Sequence, residues 1–224
     1  MSSKTRIDEL NIISTDTTES MSEEAVRKVL KSYYEPMQIT DEQKEDREEL
    51  AYDLYLIFFL VFTSIQADYI ANNEIDLDYY SGLLSTRLYD EINSSTIYLE
   101  NNEVINAYIP SLCNQIVNTT VNHIDSEYFT SQDRSVNVAK TEANVFLNAD
   151  DYDGVLESGY TYKIWCTQGD SKVRDIHRNM EGIKIPIDEY FVLDNGDMLL
   201  YPCDVSMNPS DDSIANCRCS LDYE

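Results

Sequence analysis

Tyr190-Phe191-Val192-Leu193-Asp194-Asn195-Gly196-Asp197-Met198-Leu199-Leu200-Tyr201 is the stretch that decides the fold class. Two apolar runs flank Asp-Asn-Gly-Asp, and Asn-Gly tolerates the positive φ angles of a tight hairpin turn. An antiparallel hairpin is therefore expected here. Upstream of it, Tyr160 to Cys166 alternates as a strand does, and Asp170 to Met180 reads as a short helix or structured loop closed by Gly182. Downstream, Cys217 to Leu221 reads as a final strand.

Toward the N-terminus the pattern changes from period two to the helical period. Arg134 to about Leu156 reads as a helix with Val138, Thr141, Val145 and Leu147 turned inward. Ile75 to about Phe129 reads as two or three helices, with breaks expected near Asn93-Ser94 and near Pro110. Thr40-Asp41-Glu42-Gln43 is a capping-box sequence with acidic residues in the first turn, and it opens a helix to about Asn72. Leu50, Leu54, Ile57, Val61 and Ile65 form one stripe of that helix. Phe58, Phe59 and Phe62 make it apolar nearly all round, as for the centre of a bundle or a face covered by a partner. Another helix is expected from Glu19 to about Tyr34, with Met21, Ala25, Val29 or Leu30, and Tyr33 inward, ended by Pro36.

The fold class expected is α+β: an N-terminal helical module followed by a helix and a small antiparallel sheet. The polar residues 1–18 read as a mobile tail, residues 19–133 as an acidic helical module and residues 134–224 as the mixed domain. Across residues 51–133 the only Lys or Arg is Arg87, which marks the shift in composition.

The chain carries 42 acidic against 16 basic residues, a formal net charge of -26. Such a surface repels phosphate backbones, so direct DNA binding is not expected over most of it; the charge fits docking on a basic partner surface, and equally solubility or a salt-adapted host. Its 17 tyrosines suit protein contact surfaces. The polar N-terminus shows no secretory pattern, and the five cysteines are expected as reduced thiols in a bacterial-type cytoplasm. The apolar run Leu54 to Phe62 is shorter than the roughly 20 residues a bilayer requires, so a buried helix is expected rather than a membrane span.

From Arg134 onward the motif residues fall into an ordered series: Arg134, Ala139-Lys140-Thr141-Glu142, Gly159, Trp165, Gly169-Asp170-x-x-Val173-Arg174-x-x-His177, Gly182, Phe191, Tyr201-Pro202 and Asn216-Cys217-Arg218-Cys219. This series resembles the Mu F-like family of phage head morphogenesis proteins, over about residues 134–224. The resemblance implies a minor capsid protein of a tailed phage or prophage, present in few copies at the portal vertex. It would act in head assembly or genome delivery, with portal and capsid proteins as partners. The implied location is the virion, and the host cytoplasm during assembly. Some family domains precede toxin domains, and none is expected after Glu224 here. One departure is Cys203, where a glycine often follows the proline.

The motif side chains admit structural and chemical roles. Asp170, Arg174 and His177 would share a helix face, either as a base-orienting set or as a loop lock. The loop lock is the favoured reading, because no nucleophile or cofactor loop accompanies them. Cys217 and Cys219 would share a strand face and with His177 could hold zinc, with Cys203 or Asp170 as fourth ligand. Buried thiols packing as small apolar groups are the favoured alternative. Arg134, Thr141 and Glu142 read as a buried latch between helix and sheet, with Arg218 included, rather than a transferase site. Trp165 is expected in the core. The overall expectation is a structural protein, not an enzyme. The rival is an enzyme or toxin-associated effector on the same domain, transferase-like or metal-dependent.

Overall fold

Thr40 opens the longest helix with a complete capping box: its hydroxyl accepts the Gln43 N–H at 3.2 Å, and the Gln43 side chain accepts the Thr40 N–H at 3.1 Å. The helix, α2 (Asp41–Asn72), ends on Asn73 in the left-handed conformation. It is preceded by α1 (Glu23–Tyr34) and followed by α3 (Leu77–Ser94) and α4 (Glu103–Asn122). After a 3₁₀ turn at Glu127–Thr130 comes α5 (Gln132–Leu156), capped by Ser131. The computed structural model describes residues 21–94 and 102–224, so the tail expected over residues 1–18 lies outside the described residues.

α2 packs on α5, α1 and α3, burying Leu50, Leu54, Phe58, Val61, Phe62 and Ile65 while Leu56, Ile57, Phe59 and Leu60 stay half-buried. By length and composition alone α2 could also cross a membrane, a property core helices share. In this fold 39% of its most apolar window is buried. The middle of α5, from Thr141 to Ala149, is buried on every face because α2 lies on one side and the C-terminal segments on another.

Beyond α5 the chain forms an antiparallel sheet of order β2-β1-β5, from β1 (Tyr162–Cys166), β2 (Lys184–Pro186) and β5 (Ser220–Tyr223). The expected hairpin is present as β3 (Phe191–Val192) and β4 (Met198–Leu199), pairing Phe191 with Leu199, and Gly196 takes φ +89 in its turn. Two single-turn helices, α6 (Asp175–Arg178) and α7 (Asp211–Ile214), sit in the connections. The α+β layout thus follows the expectation. One continuous buried cluster runs from Val26 through α2, α4 and α5 to Trp165 and Cys219.

Three details differ. α1 buries Val26, Leu30 and Tyr34, leaving Val29 and Tyr33 less buried, because the helix is rotated by about one residue from the expected stripe. α4 runs through Pro110 without a break. Proline cannot donate to the Asn106 carbonyl one turn back, but the Tyr89 hydroxyl from α3 donates to it at 2.9 Å. The final strand begins at Ser220 rather than Cys217, because Asn216 adopts φ +54 and the Cys217 N–H turns back to the Ile214 carbonyl.

Candidate functional site

The segment Asn216–Cys219 separates two groups of motif side chains. On one side lies a buried thiol–imidazole cluster. α6 presents His177, which is 2% exposed, and the turn entering β5 presents Cys217 and Cys219, each 3% exposed. His177 Nδ1 lies 3.5 Å from Cys217 Sγ and 3.6 Å from Cys219 Sγ. The backbone N–H of Cys219 donates to Cys217 Sγ at 3.4 Å. Trp165, fully buried as expected, stands edge-on to the imidazole with ring centroids 5.7 Å apart. Cys203, in the turn after Tyr201-Pro202, places its thiol against Cys217. Hydrogen bonds from Cys203 and Cys219, followed by His177, hold the Cys217 thiol well below the ordinary range, while Cys203 and Cys219 are pushed up. All five cysteines are free thiols.

A lock encloses this cluster. Asp170 receives both bonds of a fork from one Arg218 nitrogen, at 2.9 and 2.8 Å. Arg174 donates to the carbonyls of Asp212 and Ala215. The expected common helix face of Asp170, Arg174 and His177 does not form, because helix α6 starts only at Asp175 and Asp170 lies in the preceding loop. Asp170 therefore faces Arg218, and it does not orient His177.

On the other side of Asn216 is a cleft of about 390 Å³ lined by Tyr108, Arg134, Thr141, Glu142, Asp211 and Asn216. Burial pushes the Glu142 carboxyl up to about 7 although the Tyr108 hydroxyl donates to it at 2.9 Å. Burial lowers Arg134 to about 10. Its guanidinium donates to Thr120 Oγ1 and the Phe129 carbonyl, both at 2.6 Å, and lies over the Phe62 ring. Thr141 accepts the Asn216 N–H at 3.1 Å. The latch therefore runs differently from expectation. Arg134 and Glu142 tie α5 to α4 and the 3₁₀ turn, Thr141 alone reaches the C-terminal segment, and Arg218 belongs to the other lock.

Three buried polar residues gave little local signal. Arg47, 1% exposed, reaches Asn148 at 2.7 Å and Asp151 at 2.8 Å across the α2–α5 contact. In sequence it sits among acidic neighbours and reads as a solvated helix charge. Lys163 on β1 is buried between the Tyr152 and Phe191 rings, and burial lowers it to about 8. Asp204, fully buried, accepts the Leu200 and Ser206 N–H groups, each at 2.7 Å.

A family model described as "Phage Mu protein F like protein" matches residues 102–222, more than half of the chain. The chain belongs to this phage head-morphogenesis family. The match starts at Asn102, the N-cap of α4, well ahead of Arg134 where the resemblance in sequence begins. Both groups of motif side chains, and the α4 residues that meet Glu142 and Arg134, lie inside it. No curated protein and no solved structure matches the chain.

Proposed function

We propose that this chain is a minor head protein of a tailed phage or prophage. It acts structurally in head assembly or genome delivery at the portal vertex, in the virion and, during assembly, in the host cytoplasm. The observation that carries the reading is where the family's motif side chains are spent. Asp170, Arg174 and Arg218 pin loops; Arg134, Thr141 and Glu142 tie α5 to its neighbours. Each holds one segment to another, as the scaffold of a docking module requires. The portal and capsid proteins are the partners. The acidic N-terminal half of α2 is the surface we assign to them, with Asp41, Glu42, Glu45 and Asp46 exposed and Leu56, Ile57 and Phe59 half-buried further along.

The test is co-assembly. The tagged full chain, co-expressed with its phage's portal and major capsid proteins, is expected to sediment with portals or heads. Charge reversal of Glu42, Glu45 and Asp46 to lysine is expected to weaken that association at least tenfold. Retention by neither portals nor heads sinks the proposal.

The Glu142 cleft supports a second reading, a transferase-like enzyme. Binding of NAD in the cleft, lost in Glu142→Gln, would favour it over the structural role.

A further inference from the structure

We propose that His177, Cys203, Cys217 and Cys219 form a closed zinc site that staples the C-terminal segments together. Geometry is the first support. With Zn–S of about 2.3 Å and Zn–N of about 2.0–2.1 Å, a tetrahedral ion separates its nitrogen and sulfur ligands by about 3.6 Å. The His177 Nδ1 to Cys217 Sγ and Cys219 Sγ distances are 3.5 and 3.6 Å. All three ligand atoms lie within 4.8 Å of one another and all three residues are buried.

The fourth ligand is identified by a backbone anomaly. Cys203 has φ +66, a left-handed conformation that penalises a Cβ and suits glycine. Strain of this kind persists where the side chain does something at that place. Here it sets a fully buried thiol beside Cys217, with Sγ 3.7 Å from the Ile214 carbonyl. Cys203 stands outside the triad whose ligand atoms all lie within 4.8 Å of one another, so its side chain would have to turn toward the ion to complete the site. Asp170, the rival fourth ligand, is held by Arg218.

The donor set chooses the metal. Three thiols and an imidazole are soft ligands that exclude magnesium and calcium, and a tetrahedral set of this kind suits zinc. With four protein ligands no position stays open for substrate, so the role is structural. Binding releases the thiol protons to solvent and leaves His177 neutral. One backbone donor suits a thiolate, and two side-chain donors fix the turn that carries it. The Cys219 N–H points at Cys217 Sγ, and Tyr33 and Asn144 both donate to the Cys217 carbonyl, at 3.2 and 2.8 Å. The ion would join α6, the turn after β4 and the turn before β5, three segments whose strands are only two to five residues long. The inference stands apart from the head-assembly reading, since it concerns how the domain is held together.

The experiment is metal analysis of the reduced full chain, followed by cobalt substitution. One zinc per chain is expected, and the cobalt form should show a sulfur-to-cobalt charge-transfer band with the intensity of three thiolates. Cys203→Gly relieves the backbone strain and so should fold. It is expected to lose one thiolate's share of that band and to bind zinc about tenfold more weakly or worse. Cys166→Ser should change neither. A folded, reduced chain that takes up neither zinc nor cobalt overturns the proposal. A Cys203→Gly variant with unchanged band intensity and affinity overturns the four-ligand site.

Discussion

Glu142 carries its carboxyl in a place where burial outweighs the one hydrogen bond it receives. Its pKa rises from an ordinary 4.5 to about 7, chiefly through desolvation. A carboxyl raised in this way binds more protons folded than unfolded between those values, so its contribution to stability falls as pH rises from about 4.5 to about 7. The loss is on the order of 3 kcal/mol across that window. Glu142→Gln keeps an acceptor for Tyr108 and has no charge to bury. Its melting temperature should exceed that of the parent at pH 7.5 and converge with it near pH 4.5. Parallel pH profiles for the two proteins would show that Glu142 titrates normally. The Thr-Glu pair was visible in the sequence as a motif. That Glu142 faces Tyr108 was not, since the partner sits on another helix 34 positions away.

Pro110 shows how a strong local rule gives way to a neighbouring element. A proline in mid-helix removes one N–H donor and predicts a break. α4 continues because α3 places Tyr89 where its hydroxyl replaces that donor at the Asn106 carbonyl. Tyr89→Phe is therefore expected to cost about 1 kcal/mol in chemical denaturation, the typical net worth of one hydrogen bond. In a Pro110→Ala background the alanine N–H takes over, and the cost of Tyr89→Phe should drop to a few tenths. Equal costs in both backgrounds would mean that Tyr89 does not stand in for the missing donor. At this scale the capping box of α2 and the Asn-Gly hairpin were legible, because each depends on residues within one turn. The inward face of α1 was not. Its apolar residues allow two stripes, and contact with α2 and α5 selects Val26, Leu30 and Tyr34.

Side-chain hydrogen bonds stitch the helical half to the C-terminal half at several points. Tyr34 donates to the Lys140 carbonyl at 2.9 Å, Tyr33 to that of Cys217 at 3.2 Å, and Ser220 to that of Gln38 at 3.2 Å. Arg47 adds its buried contacts to α5. With one buried cluster running through both halves, unfolding should be a single cooperative event. Trp165, the only tryptophan, reports the sheet by fluorescence, and far-UV circular dichroism reports the helices. The two denaturation curves should coincide. A sheet transition well separated from the helical one would mean two independent units.

The main helices, the Asn-Gly hairpin and the family series from Arg134 to Cys219 were legible in the sequence alone, because caps, turns and periodicity act over a few neighbouring residues. The α+β class and the family followed from them. The tertiary structure alone decided which buried polar groups meet. Asp170 pairs with Arg218 and not Arg174, Arg134 turns to Thr120 and not the sheet, and Cys203 comes to rest against Cys217. A buried polar atom must find a partner wherever the packing brings one, and for Tyr33 that partner lies 184 positions along the chain.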